Sequence, residues 1–265
     1  MLYYMCDLGL LVRGRPVRSW RDKNHTYARF KDYFPGVILD RLSEDQAIKD
    51  LVWAYLCAFG PVTLEDIVWW LGIGKRKVQA ALSALDRSTK LTSSQPIWGG
   101  KEGRGEVRGI QIKDSPGDFL CTQSDLERLQ EFKPARSQTV NLLPWLDPYL
   151  MGYKQRQRYL DERYSSYVFD RSGNATSIIL LNGRVVGIWD FEDAELPIVK
   201  VFYLNEVNND CKKEIAAQAV KTGRFISGQD VQLQQCETMT PLTQRSAGSV
   251  MTPLKELRLS GLPNI

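Results

Sequence analysis

Residues 59–85, FGPVTLEDIVWWLGIGKRKVQAALSAL, restrict the fold more than any other stretch of the chain. Thr63 followed three residues later by Asp66 is a capping-box pattern, which satisfies orphan N–H groups at the start of a helix. That helix is short and ends near Leu71, where Gly72, Ile73 and Gly74 supply a turn. A further helix is predicted over 75–87. On it Val78, Ala81, Leu82 and Leu85 share one face at helical spacing, and Arg76, Gln79, Ala80 and Ser83 share the other. Two short helices meeting at a Gly-containing turn form the helix-turn-helix pattern.

The flanks extend this unit. Upstream, Ser43 and Gln46 repeat the capping box for a helix carrying AIKDLVWAYLCAF, which Gly60 and Pro61 stop. Downstream come a strand near 90–92, the glycine-rich connection GGKEGRGE, and a strand over 107–112. Three helices and a hairpin predict a winged helix-turn-helix domain over residues 41–115.

The first 40 residues look like part of a similar domain. LYYMCDLGLLVRG reads as a helix end, with Gly9 as its left-handed stop, running into a strand over 10–12. The basic link RGRPVRSWRDKNH leads to a second strand over 26–30. A helix end and a hairpin cannot bury a core alone, so the segment docks on the rest or belongs with residues that precede it.

Residues 116–139 read as a linker with a short helix over 118–130, and 140–240 as a strand-rich domain with one helix. There TSIILLNGRVVGIWDF joins two apolar runs through Asn182 and Gly183, the preferred pair for a type I′ hairpin. LPIVKVFYL reads as a strand, and DCKKEIAAQAVKTG as a helix closed by Gly223. A small, partly closed β-barrel or a β-sandwich is expected. Residues 241–265, rich in Thr, Ser, Pro and Gly, are expected to be a flexible tail. The fold class is therefore α+β: winged helix-turn-helix units followed by a small β-barrel-like domain.

Bulk properties narrow the chemistry. The chain of 265 residues has a net charge of +4, so anionic partners must be argued from local clusters. Five well-separated cysteines without a C-x-x-C pair argue against a disulfide framework or a zinc site and fit a reducing cytoplasm. One histidine, His25, excludes most His-built catalysis. No signal peptide is expected at residues 1–12, and no apolar run approaches the ~18 residues of a membrane span. P-loop, dinucleotide and nucleophile-elbow motifs are missing, and no cofactor or metal is expected.

Four groups are candidates for function. Lys75, Arg76 and Lys77 crowd a helix start, a position that favours anions, so three cations there suit a phosphate partner. Gln79 and Ser83 on the same face are placed to reach bases. The alternative is a solvated helix end. Arg13, Arg15, Arg18 and Arg21, together with Arg104 in the glycine-rich connection, are further phosphate-contact candidates; the alternative is again a solvated charge run. Trp69 and Trp70 invite a base-stacking role, but neighbours on a helix point about 100° apart, so burial is expected instead. Asp147, between Trp145 and Tyr149, is either a turn former or the carboxylate of a polar pocket, so Asp147 and Tyr149 are candidate cleft-lining residues. The triplet Gln155, Arg156, Gln157 is expected to face solvent.

WAYLCAFGPVTLEDIVWWLGI, LLPWLDPYLMGY and LNGRVVGIWDF, in this order and spacing, resemble the AlkZ-like (YcaQ-type) winged-helix DNA glycosylase family from the first residues to about Phe191. The resemblance implies tandem winged helices and a β-barrel around a DNA cleft. It also implies metal-free hydrolysis of N-glycosidic bonds of alkylated purines, in some members at interstrand cross-links, through an oxocarbenium-like state. The implied partner is double-stranded DNA, bound by a monomer in the cytoplasm at the bacterial nucleoid. In the family the catalytic Gln-x-Gln or Gln-x-Asp pair lies in a first winged helix upstream of the part resembled here. No catalytic role therefore falls on Gln155 and Gln157 or on Gln232 and Gln234, and the chain is expected to lack the catalytic segment. A non-enzymatic winged-helix regulator or scaffold is the alternative.

Overall fold

The computed structural model describes residues 1–18, 22, 24–39, 42–87, 106–113, 115, 117–134, 137–244 and 251–253. The chain divides into two compact units, residues 1–51 and 52–265.

In the first unit, helix α1 (Leu2–Asp7) ends as expected at Gly9, whose φ is +68°. Leu10 N–H donates to the Met5 carbonyl and Gly9 N–H to Cys6, each at 2.9 Å, the paired closure of a Schellman motif. Strand β1 (Leu11–Pro16) pairs antiparallel with β2 (His25–Arg29), with Leu11 opposite Arg29 and Arg13 opposite Tyr27. Phe30, expected at the end of the strand, instead opens the short helix α2 (Phe30–Tyr33). Helix α3 (Glu44–Phe59) begins in this unit with half of its expected capping box. Ser43 Oγ accepts from Gln46 N–H at 3.3 Å, but the Gln46 side chain turns forward to Asp50 at 2.7 Å.

The second unit carries the rest of α3, then α4 (Leu64–Leu71) and α5 (Lys75–Arg87). Thr63 and Asp66 form the complete capping box of α4, and Gly72 closes it in the left-handed conformation at φ 64°. Val52, Tyr55 and Leu56 of α3, Ile67 of α4, and Val78, Ala81 and Leu85 of α5 are buried. Burial of apolar faces such as these is what holds short helices together.

The helix expected over 118–130 starts later than its sequence suggests. Phe119–Thr122 is strand β4, antiparallel to β3 (Val107–Ile110), and Val62 joins it through two hydrogen bonds with Leu120 at 2.9 and 2.7 Å. Phe119, Cys121 and Thr122 are buried, which favours the strand, and Thr122 then caps α6 (Gln123–Glu131) by accepting from Asp125 N–H. The strand expected near 90–92 lies outside the described residues, as does the glycine-rich connection up to residue 105.

The C-terminal part is a six-stranded sheet. Its strands are β5 (Val140–Leu143), β6 (Ile178–Leu181), β7 (Arg184–Glu192), β8 (Ile198–Tyr203), β9 (Gln232–Met239) and β10 (Met251–Pro253). The order β10-β9-β8-β7-β6-β5 leaves two edges among the described residues, an open sheet where a barrel-like one was expected. Short helices α7 (Pro148–Met151) and α8 (Ser165–Val168) lie between β5 and β6. Asn182 and Gly183, both at positive φ, make the expected hairpin turn between β6 and β7.

Strands β8 and β9 run parallel and so need a crossover, supplied by helix α9 (Asn209–Ser227). Gly223 does not stop this helix; Gly228 does, at φ 75°. Gly223 is instead a point of close approach, where a Cβ would lie 2.5 Å from Val199 Cγ2. Ile179, Trp189, Val199 and Val201 of the sheet pack with Cys211, Ile215 and Ala219 of α9 to form the core. Part of the expected tail is edge strand β10, with Met251 opposite Met239.

Candidate nucleic-acid interface

The turn at Gly72 delivers α5 with its first residues facing solvent. Lys75, Arg76, Lys77, Gln79 and Ser83 are all exposed, and the first turn of α5 contains no acidic residue. Three cations on the positive end of a helix dipole raise the local potential and favour an anion. Lys75 Nζ lies 3.5 Å from Glu65 Oε1 of α4, an ion pair in which both side chains are about half exposed.

A cavity of about 160 Å³ adjoins this helix start, lined by Glu65, Val68, Trp69, Lys75 and Lys154. Trp69 and Trp70 are not buried as expected; they remain 38% and 43% exposed. Trp70, four residues after Asp66 and three after Ile67, shares their face but lies in the last turn of the helix, whereas Trp69 falls to one side of that face. Trp70 leans on Tyr55 and Phe59, with ring centroids 5.0 and 5.8 Å away, whereas Trp69 looks onto the cavity.

Asp66 connects this region to residues 152–158. Its carboxylate is fully buried yet well supplied with donors. Oδ2 accepts from Thr63 N–H and Oγ1–H at 2.9 Å each, and Oδ1 accepts from the backbone N–H of Lys154 at 2.8 Å and of Gln155 at 3.0 Å. Arg158 adds a cation 3.6 Å from Oδ2, donates to the Pro61 carbonyl at 2.9 Å and lies over the Tyr153 ring at 3.9 Å. Tyr55 donates its hydroxyl to the Gly152 carbonyl, and Tyr153 to the Phe59 carbonyl. These bonds fix Lys154 against α4.

Of the triplet expected in solvent, only Gln157 is exposed. The guanidinium of Arg156 sits 3.4 Å over the Phe169 ring and 6.0 Å from the Trp69 ring. Burial lowers its pKa from the ordinary arginine value. Lys154 and Arg158 are not among the residues the sequence points to, and Arg156 is expected from it only as a solvent-facing residue. The signal available was the spacing of three cations in GYKQRQRY, directly after an aromatic-rich turn.

Asp147 is a turn former: Oδ1 accepts from Tyr149 N–H at 2.9 Å and caps α7, with Pro148 in the first turn. The Tyr149 ring stands edge-on to Tyr153 at 5.8 Å and lies 5.5 Å from Tyr159, and burial pushes its phenol pKa up. Neither residue is among those lining the cavity.

In the first unit, Arg13 and Arg15 alternate along β1 and so share its exposed face, and Arg18 follows in the turn. The Arg13 guanidinium donates to His25 Nε2, while His25 Nδ1 lies 3.2 Å from the Gly14 carbonyl. Donation from Nδ1–H to Gly14 leaves Nε2 as the acceptor Arg13 requires. Arg21 and Arg104 lie outside the described residues.

An α+β protein with exposed cations on a strand hairpin and at a helix start is the class that fold and surface define. The chain belongs to the DNA glycosylase AlkZ-like family, which residues 1–196 match. An interstrand DNA cross-link repair glycosylase of Streptomyces sahachiroi is 27% identical over 155 residues, which is 58% of this chain and 37% of that protein. The structure of Streptomyces sahachiroi DNA glycosylase AlkZ has the same fold at a TM-score of 0.61 and 20% identity, covering 86% of this chain and 54% of that one. The chain thus spans about half, or less, of the length of these relatives. Among the described residues no cluster of three or more His, Cys, Asp or Glu could hold a metal ion, and no helix is long and apolar enough to cross a membrane.

Proposed function

We propose that this chain holds double-stranded DNA for a base-excision reaction, gripping phosphates with the start of α5 and with the β1–β2 hairpin. Helices α3, α4 and α5 with strands β3 and β4 act as a winged helix-turn-helix. Residues 1–40 act as the end of a preceding one, and the six-stranded sheet stands in the place of the barrel-like domain. The observation that carries the proposal is the run Lys75, Arg76, Lys77, exposed at a helix N-terminus without an acidic neighbour in its first turn.

Family membership and the cross-link repair relative support DNA with alkylated or cross-linked bases as the substrate class, and N-glycosidic bond hydrolysis as the reaction served. The residues assigned here bind; none is assigned to bond cleavage. The protein acts as a monomer at the nucleoid in the cytoplasm, with phosphate contacts setting affinity and Gln79 and Ser83 adding base contacts. Asp147 and Tyr149 support the cleft wall through α7.

Fluorescence anisotropy with a labelled 20-base-pair duplex tests this. The double variant Lys75→Glu, Arg76→Glu is expected to bind at least about tenfold more weakly than the parent at low salt, with an unchanged melting temperature. Equal affinity of variant and parent would reject the α5 contact.

A further inference from the structure

We infer that the cavity beside Trp69 receives a nucleobase displaced from the duplex stack, with its ring against the Trp69 indole and its phosphate between Lys75 and Lys154. The inference rests on the DNA-holding role proposed above and gives that role a defined pocket.

Four observations converge on it. First, Trp69 keeps 38% of its surface exposed and is one wall of the cavity, although an indole is among the most favourable side chains to bury. An exposed indole is a stacking platform for any base, because every base has a π-face.

Second, the cavity, at about 160 Å³, is smaller than the pockets that hold drug-sized ligands or cofactors. One planar ring system suits it better than an extended ligand.

Third, two lysines, Lys75 and Lys154, are among the residues lining it, and they are held differently. Lys154 is anchored through its own backbone N–H on the buried Asp66 carboxylate, which fixes the root of its side chain. Lys75 pairs with Glu65 at 3.5 Å in a solvent-screened ion pair of little net worth, so it is easily transferred to a phosphate. Glu65, once relieved of Lys75, is a wall carboxylate able to accept a hydrogen bond from an exocyclic amino group.

Fourth, the Arg156 guanidinium lies 6.0 Å from the centre of the indole ring and is held over the Phe169 ring at 3.4 Å. With Lys75 and Lys154 it adds a third cation to this region, where Glu65 is the acidic residue among those lining the cavity and the Asp66 carboxylate is already committed to Thr63, Lys154, Gln155 and Arg158.

The test compares a labelled duplex carrying one central bulged adenosine with the same duplex fully paired, by anisotropy, for the parent, Trp69→Phe and Trp69→Leu. The parent is expected to prefer the bulged duplex by on the order of tenfold, the worth of one base–aromatic stack. Trp69→Phe should keep most of that preference. Trp69→Leu should lose it while binding the paired duplex as the parent does. A parent that binds the paired duplex but gains nothing from the bulge overturns this inference alone, as does a Trp69→Leu variant that keeps the full preference. A parent that binds neither duplex overturns the DNA-holding role and the pocket with it.

Discussion

Arg158 lies 3.6 Å from the carboxylate of Asp66, and that carboxylate is completely enclosed. An isolated buried charge is costly, but this one also accepts four hydrogen bonds, two from Thr63 and two from the backbone of Lys154 and Gln155. One side chain therefore caps α4 and ties the 152–158 segment to it. That tie joins α4 to the segment carrying Lys154, and both supply residues that line the Trp69 cavity.

Asp66→Ala leaves several buried donors and the Arg158 guanidinium without their acceptor. A loss of about 3 kcal/mol is expected, read as a lower urea midpoint. A change within about 0.5 kcal/mol would show that the carboxylate is dispensable.

The two ends of this connection differ in how readily they are read from sequence. Thr63 and Asp66 announce a helix start because their partners are three residues apart, and Gly72, Asn182 and Gly183 announce turns because their backbone angles demand it. The partners of Asp66 at 154, 155 and 158 lie about ninety residues away, and no local pattern encodes them. Gly223 was misread for the same reason. A glycine near a helix end looks like a stop until the side chain packed against it from the sheet, Val199, is known. Of the candidate site, the three cations of α5 and the hairpin arginines were legible as charge runs. The exposure of Trp69 was not, because size and hydrophobicity alone argue for burial.

Gly223→Ala sets helix propensity against packing. Alanine gains about 1 kcal/mol in a helix interior, but its Cβ would meet Val199 Cγ2 at 2.5 Å and Val231 Cγ2 at 3.0 Å. Overpacking of this kind costs about 1–3 kcal/mol, so a net loss of stability is expected in thermal melts. A higher melting temperature would mean that α9 shifts away from the sheet at no cost.

Alkaline pH should unfold the aromatic cluster. Burial raises the pKa values of Tyr55, Tyr153 and Tyr159 above the ordinary phenol value. The fold thus keeps these protons when the unfolded chain releases them, near pH 10. Their contribution is intact below about pH 10 and is lost as pH rises from there toward the folded values, by about 1.4 kcal/mol per tyrosine per pH unit. Urea unfolding at pH 8 and pH 11 measures this, and equal stability at the two would contradict it.

Neutralising the hairpin separates its role from that of α5. The double variant Arg13→Ser, Arg15→Ser should weaken duplex binding and reduce the salt slope of log K by about 2, one for each phosphate contact removed. An unchanged slope would leave the hairpin as a solvated charge run.

The most direct test of the DNA-holding role is the affinity of the unmodified chain for an undamaged 20-base-pair duplex, titrated from 50 to 300 mM salt. Lys75, Arg76 and Lys77 with Arg13, Arg15 and Arg18 offer up to six phosphate contacts, so log K should fall against log salt with a slope of about −3 to −5. Absence of binding at 50 mM salt, or a slope near zero, would contradict the account.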